Sequence, residues 1–169
     1  MHHVSKKVKN FNTNTENKDE WLTPPYIPKA LGVFDLDPCQ PIEPPFTHAT
    51  KGYNISHNGL SQEWKGRVWC NPPYGKQTFK WISRLADHGD GIALIFARTD
   101  TIGFYEQVFK RAHGILFLKG RLKFHHVEGH TTNTAAAPSC LIAYGLRNLI
   151  ALDDAVNNGN LIGKVVRLY

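Results

Sequence analysis

The sequence predicts an α/β protein in which helices cover the faces of a mainly parallel sheet. From 67 to 118 the predicted elements alternate as strand, helix, strand, helix and strand, and this order is typical of parallel strands joined by right-handed crossovers. The run 92–97 is continuously apolar, which indicates a strand that is buried on both faces. Apolar residues at helical spacing over 79–88 predict the helix between the first two strands.

The segment before this core is rich in proline and is predicted to hold little regular structure. Its prolines argue against a regular element at 23–28, although a short helix is predicted at 28–31, where Gly32 stops it. A short β-rich run predicts a strand at 33–36. Four prolines within 38–48 predict a loop there.

Further elements are predicted in the second half of the core and after it. They are helices at 103–112 and 149–156 and strands at 115–118, 141–144 and 161–169. The stretch 125–138 is polar and rich in threonine, so we predict a surface loop, with a loop that becomes ordered on a ligand as the alternative.

Length and charge limit the classes of protein that fit the chain. Its 169 residues predict one domain over 19–169, after a flexible basic leader at 1–18. No run approaches the roughly 20 apolar residues of a membrane helix, so no membrane partner is expected. The formal charge of +6 and the pI of about 9.3 favour a polyanionic partner, of which nucleic acid is the commonest in a cytoplasm.

Cysteine and histidine give no sign of a disulfide framework or a metal site. The three cysteines are widely spaced, which is typical of a protein from a reducing cytoplasm. His125, His126 and His130 lie close together but have no acidic or cysteine partner at ligand spacing. We therefore predict a solvated loop there and no bound metal.

The tetrapeptide Asn71-Pro72-Pro73-Tyr74 directly follows a β-rich run at 66–70. Asp37 and Pro38 follow the strand predicted at 33–36, and 98–100 follow the apolar run 92–97. In α/β sheets, ligands bind beyond the carboxyl ends of the parallel strands. The three segments are therefore predicted to share one rim of the sheet.

The tetrapeptide suits methyl transfer to an aromatic exocyclic amine, whose lone pair is delocalised into the ring. Two hydrogen-bond acceptors can turn such a nitrogen towards tetrahedral geometry. Asn71 offers its side-chain oxygen, and the stiff proline pair can present the carbonyl oxygen of Pro72. Tyr74 offers a ring on which a base flipped out of a duplex can stack. The competing interpretation of these four residues is a proline-stiffened turn.

A set of motifs in fixed order resembles the phage-type DNA N-6-adenine methyltransferases, a Dam-like phage family. The resemblance spans about 19–145. It rests on Asp19-Glu20-Trp21-Leu22-Thr23-Pro24, Phe34-Asp35-Leu36-Asp37-Pro38-Cys39, Gly59-Leu60 with Trp64, Trp69-Cys70-Asn71-Pro72-Pro73-Tyr74-Gly75, Arg98-Thr99-Asp100-Thr101, Gly120-Arg121-Leu122-Lys123-Phe124 and Ala137-Pro138-Ser139.

The family resemblance implies a shortened Rossmann-like fold, a site-specific DNA adenine methyltransferase, and S-adenosylmethionine as cofactor. It also implies a cytoplasmic role in DNA modification in a bacterial host, with a phage or prophage origin. By resemblance, Asn71, Pro72, Pro73 and Tyr74 are catalytic. The residues assigned to the cofactor are Trp21, Thr23, Pro24, Asp37, Pro38 and Cys39. Asp37 would accept hydrogen bonds from the cofactor's ammonium group or orient the loop around it, and a turn carboxylate is the competing interpretation.

The chain departs from the family's usual cofactor region. The motif at Asp37 normally continues into a glycine-rich loop, but Gln40-Pro41-Ile42-Glu43-Pro44 follows here. Only 33 residues separate Asp37 from Asn71, and one strand–helix–strand unit needs roughly 30 or more. The usual two or three such units do not fit, so either the sheet is shortened or the adenosine end of the cofactor is held in an unusual way.

Double-stranded DNA is the predicted partner, and a homodimer is possible. The residues predicted to contact DNA are Lys76, Arg98, Arg121, Lys123 and Phe124, although an edge strand with alternating faces explains 121–124 equally well. Three alternative functions are open: the same chemistry on cytosine N4, an RNA adenine or a protein glutamine; an inactive DNA-binding relative; and a small nucleotide-binding protein.

Overall fold

The computed structural model describes residues 21–126 and 131–169, so the leader predicted at 1–18 lies outside the described residues. The ten strands are β1 (Trp21–Leu22), β2 (Leu36–Asp37), β3 (Lys51–Gly52), β4 (Val68–Cys70), β5 (Gly91–Phe96), β6 (Gly114–Leu118), β7 (Lys123–His126), β8 (Thr131–Thr134), β9 (Ser139–Tyr144) and β10 (Gly163–Arg167). The helices are α1 (Tyr26–Ala30), α2 (Thr78–His88), α3 (Ile102–Phe104), which continues as a π-helix over Tyr105–Phe109, and α4 (Leu146–Asn157), and a 3-10 turn spans Ile55–His57.

The main sheet has seven strands in the order β10-β6-β9-β5-β4-β2-β3. Strands β3, β2, β4 and β5 are parallel neighbours, and β9 runs antiparallel between β5 and β6. Helices flank this sheet, which gives a mixed α/β, Rossmann-like fold and confirms the predicted class.

The alternation predicted over 67–118 does not reveal one feature of this sheet. Strands β5 and β6 are not neighbours, because β9 lies between them and pairs with both. All six residues of β9 are buried, as a strand in the middle of a sheet requires. Local periodicity cannot reveal such an insertion, because the pairing partner lies far away in the sequence.

The two faces of the sheet have separate cores. Ile82 and Leu85 of α2 pack on one face with Phe104, and we refer to this as the α2 face. Leu149 and Leu152 of α4 pack on the other, the α4 face, together with α1. This division explains the apolar spacing of α2, whose buried residues point to a single side.

The sheet is short on the β2–β3 side. Both strands have two residues, and they are joined by 38–50 without a helix. The prolines at 25 and 28 are compatible with α1 because Pro25 is its N-cap and Pro28 lies in its first turn. The prediction that 23–28 lacks a regular element was therefore wrong, since α1 begins at Tyr26.

A second, three-stranded antiparallel sheet has the order β1-β7-β8. Trp21 pairs with His126, and Leu22 pairs with His125, so the chain just before Thr23 is fixed against β7. The prediction of a loop over 125–138 was wrong in part, because β7 reaches His126 and β8 covers Thr131–Thr134. Threonine is favourable in strands, and pairing with β7 lets this polar stretch form one.

A buried polar cluster joins the elements at the rim opposite Asn71. The guanidinium of Arg67 donates to the Asn148 Oδ1 at 2.7 Å, to the carbonyl of Leu31 at 2.7 Å and to that of Val33 at 3.1 Å. These bonds tie β4 to α4 and to the turn after α1. No helix in the described part of the chain has the length and apolar character needed to cross a membrane.

Candidate active site

Three parallel strands end at one rim of the main sheet. Leu36 of β2 is the register partner of Val68 of β4, and Val68 is the partner of Gly91 of β5. The residues that follow these strands therefore meet at a common edge. The motifs at Asp37, at Asn71 and at 98–100 thus lie on the same rim.

The turn from Asn71 to Tyr74 is held in place by two threonines. The side-chain nitrogen of Asn71 donates to the hydroxyl oxygen of Thr23 at 3.1 Å, and Thr23 is buried. This bond fixes how the Asn71 amide is turned. On the other side, the hydroxyl of Thr78 donates to the carbonyl of Pro73 at 2.7 Å and accepts from the backbone N–H of Gly75 at 3.1 Å.

The carbonyl oxygen of Pro72 is available as an acceptor. Within the described residues, no protein group donates a hydrogen bond to it, whereas the carbonyl of Pro73 is engaged by Thr78. The Pro72 side chain itself is buried. The Pro73 carbonyl therefore holds the turn together, whereas the Pro72 carbonyl can contact a substrate.

Tyr74 belongs to an aromatic stack. Its ring lies nearly parallel to that of Phe96, with centroids 4.2 Å apart and an angle of 12° between the planes. The ring of Phe124 meets it edge-on at 6.0 Å. Burial raises the pKa of the Tyr74 phenol far above its usual range, so the ring stays neutral. A base that stacks on Tyr74 must use the ring face opposite Phe96.

Asp37 is a buried carboxyl at the end of β2, only 5% exposed. Its Oδ1 accepts from the backbone N–H of Cys39 at 3.0 Å. Desolvation raises its pKa to about 7, and the backbone hydrogen bond opposes this only in part. A buried carboxyl with one backbone donor fits a cationic group such as an ammonium.

The other residues predicted to bind the cofactor lie around Asp37 and Asn71. Pro24 and Pro38 are buried, and Cys39 is half-buried with its sulfur 4.0 Å from that of Cys70. Trp21 lies in β1, and its side chain is outside the described part of the structure.

A family model for DNA N-6-adenine-methyltransferase (Dam) matches residues 10–160 of the 169. The chain belongs to this family. No curated protein and no solved structure matches the chain. The Dam family assignment agrees with the resemblance seen in the sequence and with the Rossmann-like sheet.

The basic residues predicted to bind DNA in this Dam-family chain are on the surface. Lys76, Arg98, Arg121 and Lys123 are all exposed. The guanidinium of Arg98 lies over the ring of Phe96, 5.6 Å from its centroid, and therefore next to the aromatic stack. Its loop is fixed, since the hydroxyl of Thr101 donates to the Arg98 carbonyl at 2.8 Å.

Phe124 does not lie where a direct DNA contact requires it. It is 4% exposed and packs against Tyr74, because alternation along 121–124 turns the even-numbered positions inward. Phe124 therefore supports the Tyr74 ring from inside the protein. This agrees with the interpretation of 121–124 as an edge strand with alternating faces.

Sequence reasoning missed two supports of the Dam-family motif. Phe96 was interpreted only as part of a buried strand, although its place at the carboxyl end of that strand was a signal. Thr78 was passed over, although a hydroxyl at the start of the helix after the motif is a typical partner for turn backbone groups.

Proposed function

We propose that this Dam-family chain is an S-adenosylmethionine-dependent enzyme that methylates the exocyclic N6 amine of an adenine flipped out of double-stranded DNA. The observation that carries the proposal is the turn from Asn71 to Tyr74. It combines a side-chain amide of fixed orientation, a carbonyl without a donor among the described residues, and a supported aromatic ring.

The two acceptors act on the amine. The N6 nitrogen carries two hydrogens, and the Asn71 side-chain oxygen and the Pro72 carbonyl oxygen each accept one of them. This draws the nitrogen away from planarity and returns lone-pair density to it. Thr23 and Thr78 are positioning residues, since they hold Asn71 and the proline turn in place before substrate arrives.

The aromatic stack receives the base. Extrusion from the duplex costs about a few kcal/mol, and stacking on Tyr74 returns about 1–3 kcal/mol. Phe96 and Phe124 contact the ring from behind and from the edge, so the platform is rigid before binding. A rigid ring loses little entropy when the base arrives.

S-adenosylmethionine supplies an electrophilic methyl group when bound. Asp37 suits the ammonium of this cofactor, because a buried carboxylate gains from a cationic partner. Thr23 and Pro24 lie next to Asn71 and line the boundary between cofactor and base. Exposed Lys76 and Arg98 bind DNA phosphates beside the site.

The test is a methylation assay with tritiated S-adenosylmethionine and three substrates: adenine-unmethylated DNA, RNA and protein. Nucleoside analysis of the product should find the label on adenine N6 of DNA. Asn71→Ala should abolish transfer, whereas Asn158→Ala, at an exposed position after α4, should leave it unchanged. Label found only in cytosine, RNA or protein would assign one of the alternative acceptors and overturn the proposal. Failure of the wild-type chain to bind the cofactor would favour an inactive DNA-binding relative.

A further inference from the structure

Two of the three cysteines lie in contact beside the candidate active site. The sulfur atoms of Cys39 and Cys70 are 4.0 Å apart, although 31 positions separate them in the chain. Both lie in or against the apolar cluster of the α2 face. Cys70 is fully buried, whereas Cys39 is half-buried and is therefore within reach of small solutes. A partly exposed thiol thus contacts a buried one.

The backbone at this place meets the geometric requirement of a disulfide. Strands β2 and β4 are parallel neighbours, and Leu36 is the register partner of Val68. Two residues further along, Pro38 comes opposite Cys70, so Cys39 lies one position beyond. Neighbouring strands are about 4.8 Å apart, which is inside the range of about 4.4–6.8 Å between the Cα atoms of disulfides. The sulfurs must approach by about 2 Å to reach the S–S bond length of about 2.0 Å.

Each cysteine is attached to a part of the candidate site. The backbone N–H of Cys39 donates to the Oδ1 of Asp37 at 3.0 Å, and Cys70 directly precedes Asn71. The Asn71 side chain is oriented by its 3.1 Å hydrogen bond to Thr23. A bond between the sulfurs would pull the two strand ends together and shift Asn71 relative to this partner. A displacement of about 1 Å can reduce the rate of an enzyme by about 100-fold.

We propose that Cys39 and Cys70 form a reversible disulfide on exposure to hydrogen peroxide, and that this bond inhibits methyl transfer. The Cys39 thiol attacks one peroxide oxygen, the O–O bond breaks and water leaves, which makes Cys39 a sulfenic acid. The Cys70 sulfur then attacks the Cys39 sulfur, and the hydroxyl group leaves as water with the Cys70 proton. In total the two thiols lose two electrons and two protons, and the peroxide is reduced to two water molecules. The inhibition rests on the proposed function, whereas the bond does not.

The surroundings of the pair protect it from casual oxidation. Burial raises the pKa of the Cys39 thiol well above its usual value, and the neighbouring Cys70 thiol and Asp37 carboxyl raise it further. Since the thiolate is the reactive form, the reaction is slow at neutral pH and needs sustained exposure to peroxide. Transient regulatory disulfides of this kind occur in reducing compartments, where structural disulfides are rare.

Mass spectrometry of the full chain after peroxide treatment tests the bond. Non-reducing digestion should yield one peptide that links Cys39 to Cys70 and lacks two hydrogens, and dithiothreitol should separate it. Cys140 is the matched control, because its thiol donates to the Ile95 carbonyl at 3.7 Å and burial raises its pKa to about 12. The linked peptide should form in Cys140→Ala and not in Cys70→Ala, and Cys39→Ala provides the same test if Cys70→Ala does not fold. Treated wild-type protein without this peptide, or with links through Cys140, would overturn the proposal.

Methyl transfer from S-adenosylmethionine to DNA, measured before and after peroxide, tests the inhibition. Each protein is compared with its own reduced form, so that effects of the substitution on basal activity cancel. The wild type and Cys140→Ala should lose about 10- to 100-fold in rate and regain it with dithiothreitol, whereas Cys70→Ala should keep its rate. An equal loss in Cys70→Ala, or a wild-type disulfide without loss, would refute inhibition by this bond. If the reduced wild type transfers no methyl group, the proposed function falls, and the peptide analysis still decides whether the bond forms.

Discussion

Asp37→Asn should stabilise the protein at pH 8 while weakening cofactor binding. Asp37 is buried, and its pKa of about 7 compares with an ordinary value of 3.8. The folded chain therefore binds this proton more tightly than the unfolded chain. Asp37 therefore does not destabilise the fold below pH 3.8. The destabilisation grows as the pH rises from 3.8 to 7 and is complete above 7. At about 1.4 kcal/mol per pH unit, ionised Asp37 destabilises the fold by up to about 4 kcal/mol.

Urea unfolding at pH 4 and pH 8 measures this effect. The variant and the wild type should have similar free energies of unfolding at pH 4, and the variant should be more stable at pH 8. The asparagine oxygen can still accept from the Cys39 N–H, so that hydrogen bond is retained. Asp154→Asn, at an exposed position on α4, is the control and should show no such difference. A variant that is no more stable than the wild type at pH 8 would refute the reasoning.

Three further predictions concern the Tyr74 ring, the exposed basic residues Lys76 and Arg98, and the buried Arg67. Tyr74→Ala should weaken base capture, measured by 2-aminopurine fluorescence, by about 1–3 kcal/mol, and should affect cofactor binding less; equal losses would contradict stacking. Lys76→Ala and Arg98→Ala should each reduce the slope of log affinity against log salt by about 1, and an unchanged slope would exclude a phosphate contact. Arg67→Met should lower the free energy of unfolding by about 2–4 kcal/mol, because buried acceptors lose their donor, without changing turnover by the folded protein.

The sequence predicted those strands and helices whose residues show a clear local pattern of apolar side chains. The apolar run 92–97 and the helical spacing after Asn71 correspond to β5 and α2, and the tetrapeptide 71–74 follows a strand as expected. The pairing of β9 with β5 and of β1 with β7 joins residues more than 40 positions apart, which periodicity does not encode.

The sequence motifs predicted the central residues of the candidate site but not the residues that hold them in place. Asn71 and Tyr74 stand out because their chemistry is unusual for a turn. Phe96 and Thr78 are ordinary residues whose contribution comes from what they contact, so only the structure identifies them. Phe124 was interpreted as a DNA contact because it lies among basic residues, yet strand alternation turns it inward.

The position of β9 has a consequence for how the protein is made. Strands β5 and β6 are joined only through β9, which is translated after both of them. A nascent chain that ends before residue 139 can form only the four-stranded piece β5-β4-β2-β3, with an exposed apolar edge at β5, and leaves β6 without either of its sheet partners. Ser139 is also the register partner of Phe96, on which Tyr74 stacks. The strand that carries Phe96 is therefore fixed in the sheet late in synthesis, and we expect ribosome-bound chains to gain protease resistance only once β9 has left the exit tunnel.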